Sequence, residues 1–324
     1  MKENKKDIIW KIVSEFELNE VLVNNYIEDY LKWEDYNTIR RFFKENIDFI
    51  KVKPFVKWVG WKRQLMPILI EEYPLDKKIK KYYEPFLGWG ALFLNVQKKN
   101  SILSDINKEL INAYQVIKDN VNDLIKFLKT LRYDKELFLE IRAWDREEWW
   151  EEKYWKIKRA WRFIFLNRTC FNGLYRVNSK GYFNVPFWRY TNPDFIQEEN
   201  LINLSRLFNF LNIKFKISWF EEVLENAWEG DFIYLDPPYD TINETSNFTS
   251  YDKSWFGKEL QVTLAETFKK LDKKGAYVML SNHDTDFIKE IYDWYKFKIV
   301  KARRNINSKG DKRGEVNEII IKNY

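Results

Sequence analysis

An apolar run, Phe232–Leu235, ends abruptly at Asp236-Pro237-Pro238-Tyr239. Two consecutive prolines remove two N–H donors and stiffen the turn, so the backbone sets where the Asp236 carboxylate and the nearby carbonyls point. A carboxylate beside a fixed carbonyl is a double acceptor, suited to a group that carries two hydrogens, and the tyrosine that follows offers a ring for stacking. The competing reading is a strand-end turn in which Asp236 only caps. A second candidate is Glu84-Pro85-Phe86-Leu87-Gly88-Trp89-Gly90. Glycines two apart let the backbone turn through positive φ and come close to a ligand. A short Gly-x-Gly is weak alone, but about fifteen residues later the stretch Ser101–Ser104 ends at Asp105. An acid after the second strand is placed to accept hydrogen bonds from ribose hydroxyls. The alternative is that Asp105 caps a helix starting near Asn107.

These residues need elements to carry them, and strands are expected at 81–84, 101–104, 214–218, 231–235, 276–281, 297–301 and 315–322. Helical patterns lie between most of them, at 107–118, 257–271 and 285–293 for example. Strands alternating with helices predict an α/β fold, a mostly parallel sheet with helices on both faces. In such sheets ligands bind beyond the carboxyl ends of the strands. Residues 120–213 break the rhythm: they are helix-rich, then carry turn signals in "FNGLYRVNSKGYFNV". A hairpin is expected there, Leu174–Val177 against Tyr182–Val185 around Ser179–Gly181. Residues 1–52 keep helical spacing, with Asn37 expected to cap a helix through Phe42 and Phe43. The domain reading is therefore a helical extension, 1–52, a discontinuous catalytic domain, 53–119 and 214–324, and an insertion, 120–213.

With 324 residues there is ample chain for a core, as one large domain or two smaller ones. A single cysteine, Cys170, excludes an intrachain disulfide, and a single histidine, His283, argues against a protein metal cage. No signal peptide or membrane span is expected, and the setting reads as reducing and cytoplasmic. The net charge of +6 is uneven. Eight Lys/Arg and no acid lie between Lys156 and Asn192, and eight Lys/Arg with one acid between Lys296 and Gly314. The first segment interleaves its charges with Trp161, Phe163, Phe165, Phe171, Tyr175, Tyr182, Phe183, Phe187 and Tyr190. Bases stack on such rings while phosphates take the arginines, so the expected partner is nucleic acid.

From Pro54 onward the chain resembles the Dam-type DNA adenine-N6 methyltransferases of the D12 class. The resemblance rests on Lys57-Trp58 with Gly60 and Lys62, "EPFLG", "SDIN", "FNGLYRVN" at 171–178, "FNVPF" at 183–187, "DPPY" and "SNHDT" at 281–285, in family order over roughly 270 residues. It implies a Rossmann-like methyltransferase sheet, with the 120–213 insertion as a helical and β-hairpin target-recognition region. It implies S-adenosylmethionine as cofactor, with Trp58, Lys62, Asp105 and Asp236 in contact with it and Glu84, Pro85, Phe86, Gly88 and Gly90 forming its loop. Asp236, Pro237, Pro238 and Tyr239 become the catalytic set. The N6 lone pair of adenine is delocalised into the ring and nucleophilically poor; Asp236 and the Pro237 carbonyl would hold both N6 hydrogens, and Tyr239 would stack on a flipped base. DNA-facing residues would be Lys57, Asn172, Leu174, Arg176, Asn178, Pro186 and Arg189. In the family, positions matching Lys57, Leu174, Arg176 and Pro186 help read GATC; Arg176 suits a guanine edge, and Leu174 or Pro186 a thymine methyl. The implied partner is double-stranded DNA, bound by a monomer without metal or membrane. Whether the chain acts alone or beside a cognate restriction endonuclease is left open. Cytosine-N4 methylation, or DNA binding without catalysis on a degenerate methylase fold, are the alternatives.

The family pattern has glycine where this chain has Trp61, Trp89 and Trp188. The chain carries ten glycines and fifteen tryptophans. At an average usage of about 7%, roughly 23 glycines would be expected, and fourteen of the tryptophans would close the gap. The reading is that one codon is translated here as tryptophan and in the source as glycine. Genuine tryptophan enrichment is the alternative, and it would crowd the cofactor loop.

Overall fold

Among the described residues seven strands are interspersed with helices in the order the apolar spacing predicts. The computed structural model describes residues 4–58, 64–240, 256–303 and 315–324. In chain order the described elements are α1 Lys5–Phe16, α2 Glu20–Tyr26, α3 Tyr36–Ile50, α4 Met66–Glu71, β1 Tyr82–Glu84, α5 Ala91–Val96, β2 Ile102–Asp105, α6 Lys108–Leu128, α7 Lys135–Ala143, α8 Trp150–Lys153, α9 Lys156–Thr169, α10 Glu198–Phe210, β3 Lys214–Ile217, α11 Phe220–Leu224, β4 Phe232–Leu235, α12 Lys258–Lys273, β5 Tyr277–His283, α13 Asp286–Ile291, β6 Lys296–Arg303 and β7 Glu315–Lys322. A π-turn, Ile27–Leu31, continues α2. The strands form one sheet in the order β3-β2-β1-β4-β5-β7-β6. Pairings β1–β2, β1–β4 and β4–β5 are parallel, while β7 runs antiparallel between β5 and β6. The fold is thus the mostly parallel α/β sheet that the sequence leads one to expect.

Two compact units divide the chain. One comprises Lys62–Leu87, Ile102–Ser104 and Ser218–Tyr324. Every residue of β1 and β4 is buried there, and β4 accordingly reads as an unbroken apolar run. Their core includes Tyr83, Ile233, Leu235, Val278 and Leu280, with Leu264 and Phe268 of α12 and Ile319 and Ile321 of β7. The strand order reverses between β1 and β4, and the carboxyl ends of these two strands carry Glu84 and Asp236. Such a reversal is where sheets of this kind bind ligands.

The other unit comprises Met1–Trp61, Gly88–Ser101 and Asp105–Ile217. Its centre is α9, buried on every face from Ala160 to Asn167 and packed on α6 and α7. Residues 1–52 are helical as read, but Asp35, not Asn37, caps α3: its carboxylate accepts the N–H groups of Asn37 and Thr38. Asn37 sits too late, inside the first turn. The helix read as 107–118 runs on to Leu128 with a break at Asn120 (φ −137°), so position 120 falls within α6. Two tryptophans, Trp33 and Trp149, hold φ of 59° and 56°. Bulky side chains rarely occupy that region, where glycine is at ease.

Candidate active site

Asp236 leaves the end of β4 on a relay of two hydroxyl groups. The parallel register sets Leu235 against Leu280, which brings Ser281 beside Asp236. Ser281 Oγ donates to Asp236 Oδ1 at 2.9 Å. Having spent its one proton there, Ser281 accepts from the Tyr234 hydroxyl, also at 2.9 Å. Burial pushes the Tyr234 phenol well above its ordinary pKa, which keeps it a donor. Ser281 and Tyr234 are buried, while Asp236 is partly open. The carboxylate is therefore oriented from one side by a dry relay.

The turn after Asp236 is held as firmly. Gln261 Nε2 donates to the Pro238 carbonyl at 2.8 Å, and Gln261 Oε1 accepts from Asn282 Nδ2 at 3.1 Å. Asn282 Oδ1 in turn accepts the Asp240 N–H, and Thr285 Oγ1 donates to Asp240 Oδ2. Gln261 and Asn282 are almost wholly buried, so these bonds answer polar groups that would otherwise be costly inside. Tyr239 donates to Glu318 Oε2 at 3.0 Å and meets the His283 ring edge-on at 4.8 Å. His283 Nδ1 lies 2.5 Å from the Asp240 carbonyl, a local hydrogen-bonding role. In the same unit Glu84 accepts from Tyr82 at 2.7 Å, Pro85 is buried, and Phe86 packs on Phe220 and Phe256.

In the other unit, Gly88 and Gly90 take left-handed φ of 48° and 68°. A Cβ at Gly88 would come within 3.1 Å of the Trp58 indole, a tight approach that adds to the conformational preference for glycine. Asp105 Oδ2 accepts the Gly88 N–H at 3.0 Å and Oδ1 the Asn107 N–H at 2.9 Å. Burial raises its pKa, opposed by these backbone donors. It is Asn107, through the N–H groups of Glu109 and Leu110, that caps α6; Asp105 ties the loop to that helix instead. Trp89 lies half-buried between the two glycines. Trp58 stacks on Tyr175, centroids 5.7 Å apart and planes 15° off parallel. Gly60, Trp61 and Lys62 lie outside the described residues, as do 304–314 of the second basic segment.

The hairpin forms where the turn signals place it. Val177 bridges Phe183, Asn184 N–H reaches the Arg176 carbonyl, and Asn178 Oδ1 accepts from the Lys180 and Tyr182 N–H groups. Asn178 thus shapes the turn. Arg176 is exposed, its Nε donating to Asn184 Oδ1; Pro186, Arg189 and Asn172 are exposed and Leu174 half-buried. Asp145 accepts the Phe183 N–H at 2.7 Å and pairs with Arg162 at 2.8 Å, both nearly inaccessible. Arg162 spends further donors on the carbonyls of Ile141 and Arg142. Burying such a pair is costly, and these bonds offset part of that cost.

Asn167, wholly buried, does comparable work at Lys57. It binds both the N–H and the carbonyl of Lys57 and also the Gly173 carbonyl, each at 2.8 Å. The Lys57 ammonium lies 4.2 Å over the Tyr190 ring, and burial together with nearby Arg168 draws its pKa down. Neither Asn167 nor the Arg162–Asp145 pair is marked in the sequence beyond lying on apolar helical patterns. A Cβ at Gly173 (φ 63°) would sit 2.4 Å from Lys57 Cβ, whereas one at Gly181 (φ 81°) would meet nothing within 4 Å. Gly173→Ala is therefore expected to cost more than Gly181→Ala, which bears only the conformational penalty of about 1 kcal/mol or somewhat more. Urea unfolding of the two variants measures this, and equal costs would mean that Lys57 yields freely.

Cys170 is buried, its thiol directed at the carbonyls of Asn167 and Leu174, and burial pushes its pKa up to about 12. A thiol so placed is a poor nucleophile. Among the described residues no cluster of His, Cys, Asp or Glu could hold a metal ion, and no helix is long and apolar enough to cross a membrane.

Residues 58–306 match the family model of the D12 class N6 adenine-specific DNA methyltransferases. The chain is 45% identical over 298 residues to the type II methyltransferase M.MjaIII of Methanocaldococcus jannaschii, covering 85% of this chain and 100% of that protein. It is 41% identical over 277 residues to the type II methyltransferase M1.LlaDCHI of Lactococcus lactis subsp. cremoris, covering 85% and 96%. With the DNA adenine methylase of Escherichia coli K12 it shares 34% over 274 residues, 83% and 95% of the two chains.

Proposed function

The chain belongs to the D12 class of N6 adenine-specific DNA methyltransferases, and from that membership we propose that it methylates adenine N6 in double-stranded DNA at GATC sites, using S-adenosylmethionine on a base flipped from the duplex. The observation that carries the catalytic half is the Tyr234–Ser281–Asp236 relay at the end of β4. It orients an acceptor beside the stiff Pro237-Pro238 turn. Asp236 and the Pro237 carbonyl take the two N6 hydrogens, which turns the nitrogen lone pair out of the ring and toward the incoming methyl. The Asp236 carboxylate also offsets the positive charge that grows on nitrogen during transfer. Tyr239, steadied by Glu318 and His283, stacks on the flipped base.

Two observations support the fit of S-adenosylmethionine. The Asp105 carboxylate accepts the backbone N–H groups of Gly88 and Asn107 and still has acceptor capacity for a ribose hydroxyl. The Gly88 turn is one that a Cβ would fill. When bound, this cofactor supplies an electrophilic methyl on sulfonium. Trp58, Glu84, Pro85, Phe86, Gly88, Gly90, Asp105 and Lys62 would hold it, and direct displacement then depends on positioning and needs neither a metal nor a cysteine nucleophile. Lys57, Asn172, Leu174, Arg176, Asn178, Pro186 and Arg189 would face DNA, on one copy of the chain.

The test is tritium transfer to duplexes that differ only in the GATC site, followed by nucleoside analysis. Label in N6-methyladenine on the GATC duplex alone supports the reading; label in N4-methylcytosine overturns it. Arg176→Ala is expected to relax sequence choice, costing roughly 1–3 kcal/mol on the cognate site, as loss of a bidentate base contact would. If binding to every sequence fell equally, Arg176 would be a phosphate contact. Trp89 favours one second reading for the chain as written, a DNA-binding scaffold that no longer holds its cofactor. Calorimetric titration with S-adenosylmethionine separates the two.

A further inference from the structure

The helix behind the glycine turn is finished by a part of the chain that lies outside the family match. α5 starts at Gly90 and has only six residues, too few to be stable in isolation. Its last four carbonyls need partners from elsewhere. Phe93 O accepts from the Gln97 N–H at 2.8 Å and Leu94 O from Gln97 Nε2 at 3.0 Å. Asn95 O accepts from Asn19 Nδ2 at 3.0 Å and Val96 O from Asn25 Nδ2 at 2.8 Å. Gln97 is itself held by the same segment: its Nε2 also donates to Ile50 O, and its Oε1 accepts from the Tyr26 hydroxyl, each at 2.8 Å. Just beyond, Lys98 pairs with Asp29 at 2.6 Å with both side chains largely buried. Asn19, Asn25, Tyr26, Asp29 and Ile50 all lie ahead of the matched span 58–306.

We propose that the N-terminal helices are a positioning element for the glycine turn, acting through Asn19, Asn25 and Tyr26 on the carboxyl end of α5. A short helix whose far end is fixed presents its first turn, and with it Gly90 and Gly88, in one place. A bulky helical extension with near-balanced charge thereby gains a role that its sequence does not advertise. The link to cofactor affinity rests on the reading of the glycine turn as the cofactor loop; the mechanical claim does not.

Asn25→Leu keeps the volume, removes the donor and strands a buried carbonyl. In the full-length chain, amide hydrogen exchange across 91–97 is expected to quicken roughly tenfold, without ligand and with the remaining amides unchanged. The dissociation constant for S-adenosylmethionine, titrated with and without Trp89→Gly, is expected to rise by a similar factor. Turnover at saturating cofactor should stay within about twofold. Trp10→Ala, on the exposed face of α1, serves as control and should change neither. Unchanged exchange at 91–97 would overturn the proposal. So would a fall in turnover with no change in the Michaelis constant for the cofactor, the mark of a general loss of folded protein. If exchange quickens while no form of the chain binds S-adenosylmethionine, the positioning role stands and the cofactor assignment fails.

Discussion

Asp236→Ala is expected to leave a folded protein that transfers methyl groups at least roughly a hundredfold more slowly than its parent. Folding should survive because Asp236 is partly exposed at a strand end and the turn beyond it keeps its own support from Gln261, Asn282 and Thr285. Activity should not survive, because alanine removes one of two acceptors for the amino hydrogens and leaves the lone pair in the ring. Tritium transfer to an adenine-containing duplex measures the loss in the chain with and without Trp61→Gly and Trp89→Gly. A rate above a few per cent of the parent's would sink the catalytic assignment. Ser281→Ala provides the graded companion: the carboxylate remains but loses the Ser281 donor, and a smaller loss of roughly tenfold is expected. If Ser281→Ala were silent, the relay would have no part in the reaction.

The second large effect concerns the indole between the two glycines. Trp61→Gly with Trp89→Gly is expected to tighten S-adenosylmethionine binding by more than about tenfold, because a half-buried ring at position 89 occupies space that a close backbone approach requires. The structure supplies independent grounds for reading many of these tryptophans as glycines. Trp33 and Trp149 sit at positive φ. Trp10, Trp149, Trp228 and Trp294 are 70%, 71%, 62% and 75% exposed, although tryptophan is ordinarily among the better buried residues. Trp58, by contrast, is stacked and partly buried, as a true aromatic would be. The gene should then carry UGA at 61, 89 and 188 and UGG at 58, and native peptides should show glycine at those three positions. Tryptophan at 89 in protein from the native source, or equal cofactor affinity of the parent chain and the Trp89→Gly variant, would refute this reading.

β4 was legible because a buried strand of a parallel sheet is a short apolar run closed by turn residues. The acid at the end of β4 was legible for the same reason, since Pro237 and Pro238 mark where the strand stops. Ser281 was not: it reaches Asp236 through the pairing of Leu235 with Leu280, a register that no local pattern encodes. Gln261, which holds the Pro238 carbonyl, stands on the buried face of a helix where periodicity leads one to expect an apolar residue. Asn37 was read as the cap of α3, but the capping geometry belongs to Asp35, which residue type alone does not mark. Asn19 and Asn25 read as ordinary polar positions because their partners lie some seventy residues away, on α5.

The insertion of β7 between β5 and β6 has a consequence for synthesis. β7 lines Ile320 up with Ser281 and Glu318 with His283, and Glu318 accepts from Tyr239. On a ribosome the Asp236 carboxylate therefore appears before the strand that braces its surroundings. A nascent chain that has emerged only as far as β6 carries the DPPY turn but not the residue that steadies its tyrosine. Competence should arrive abruptly, when Glu315–Lys322 enters the sheet, so a partly made enzyme would not mark DNA.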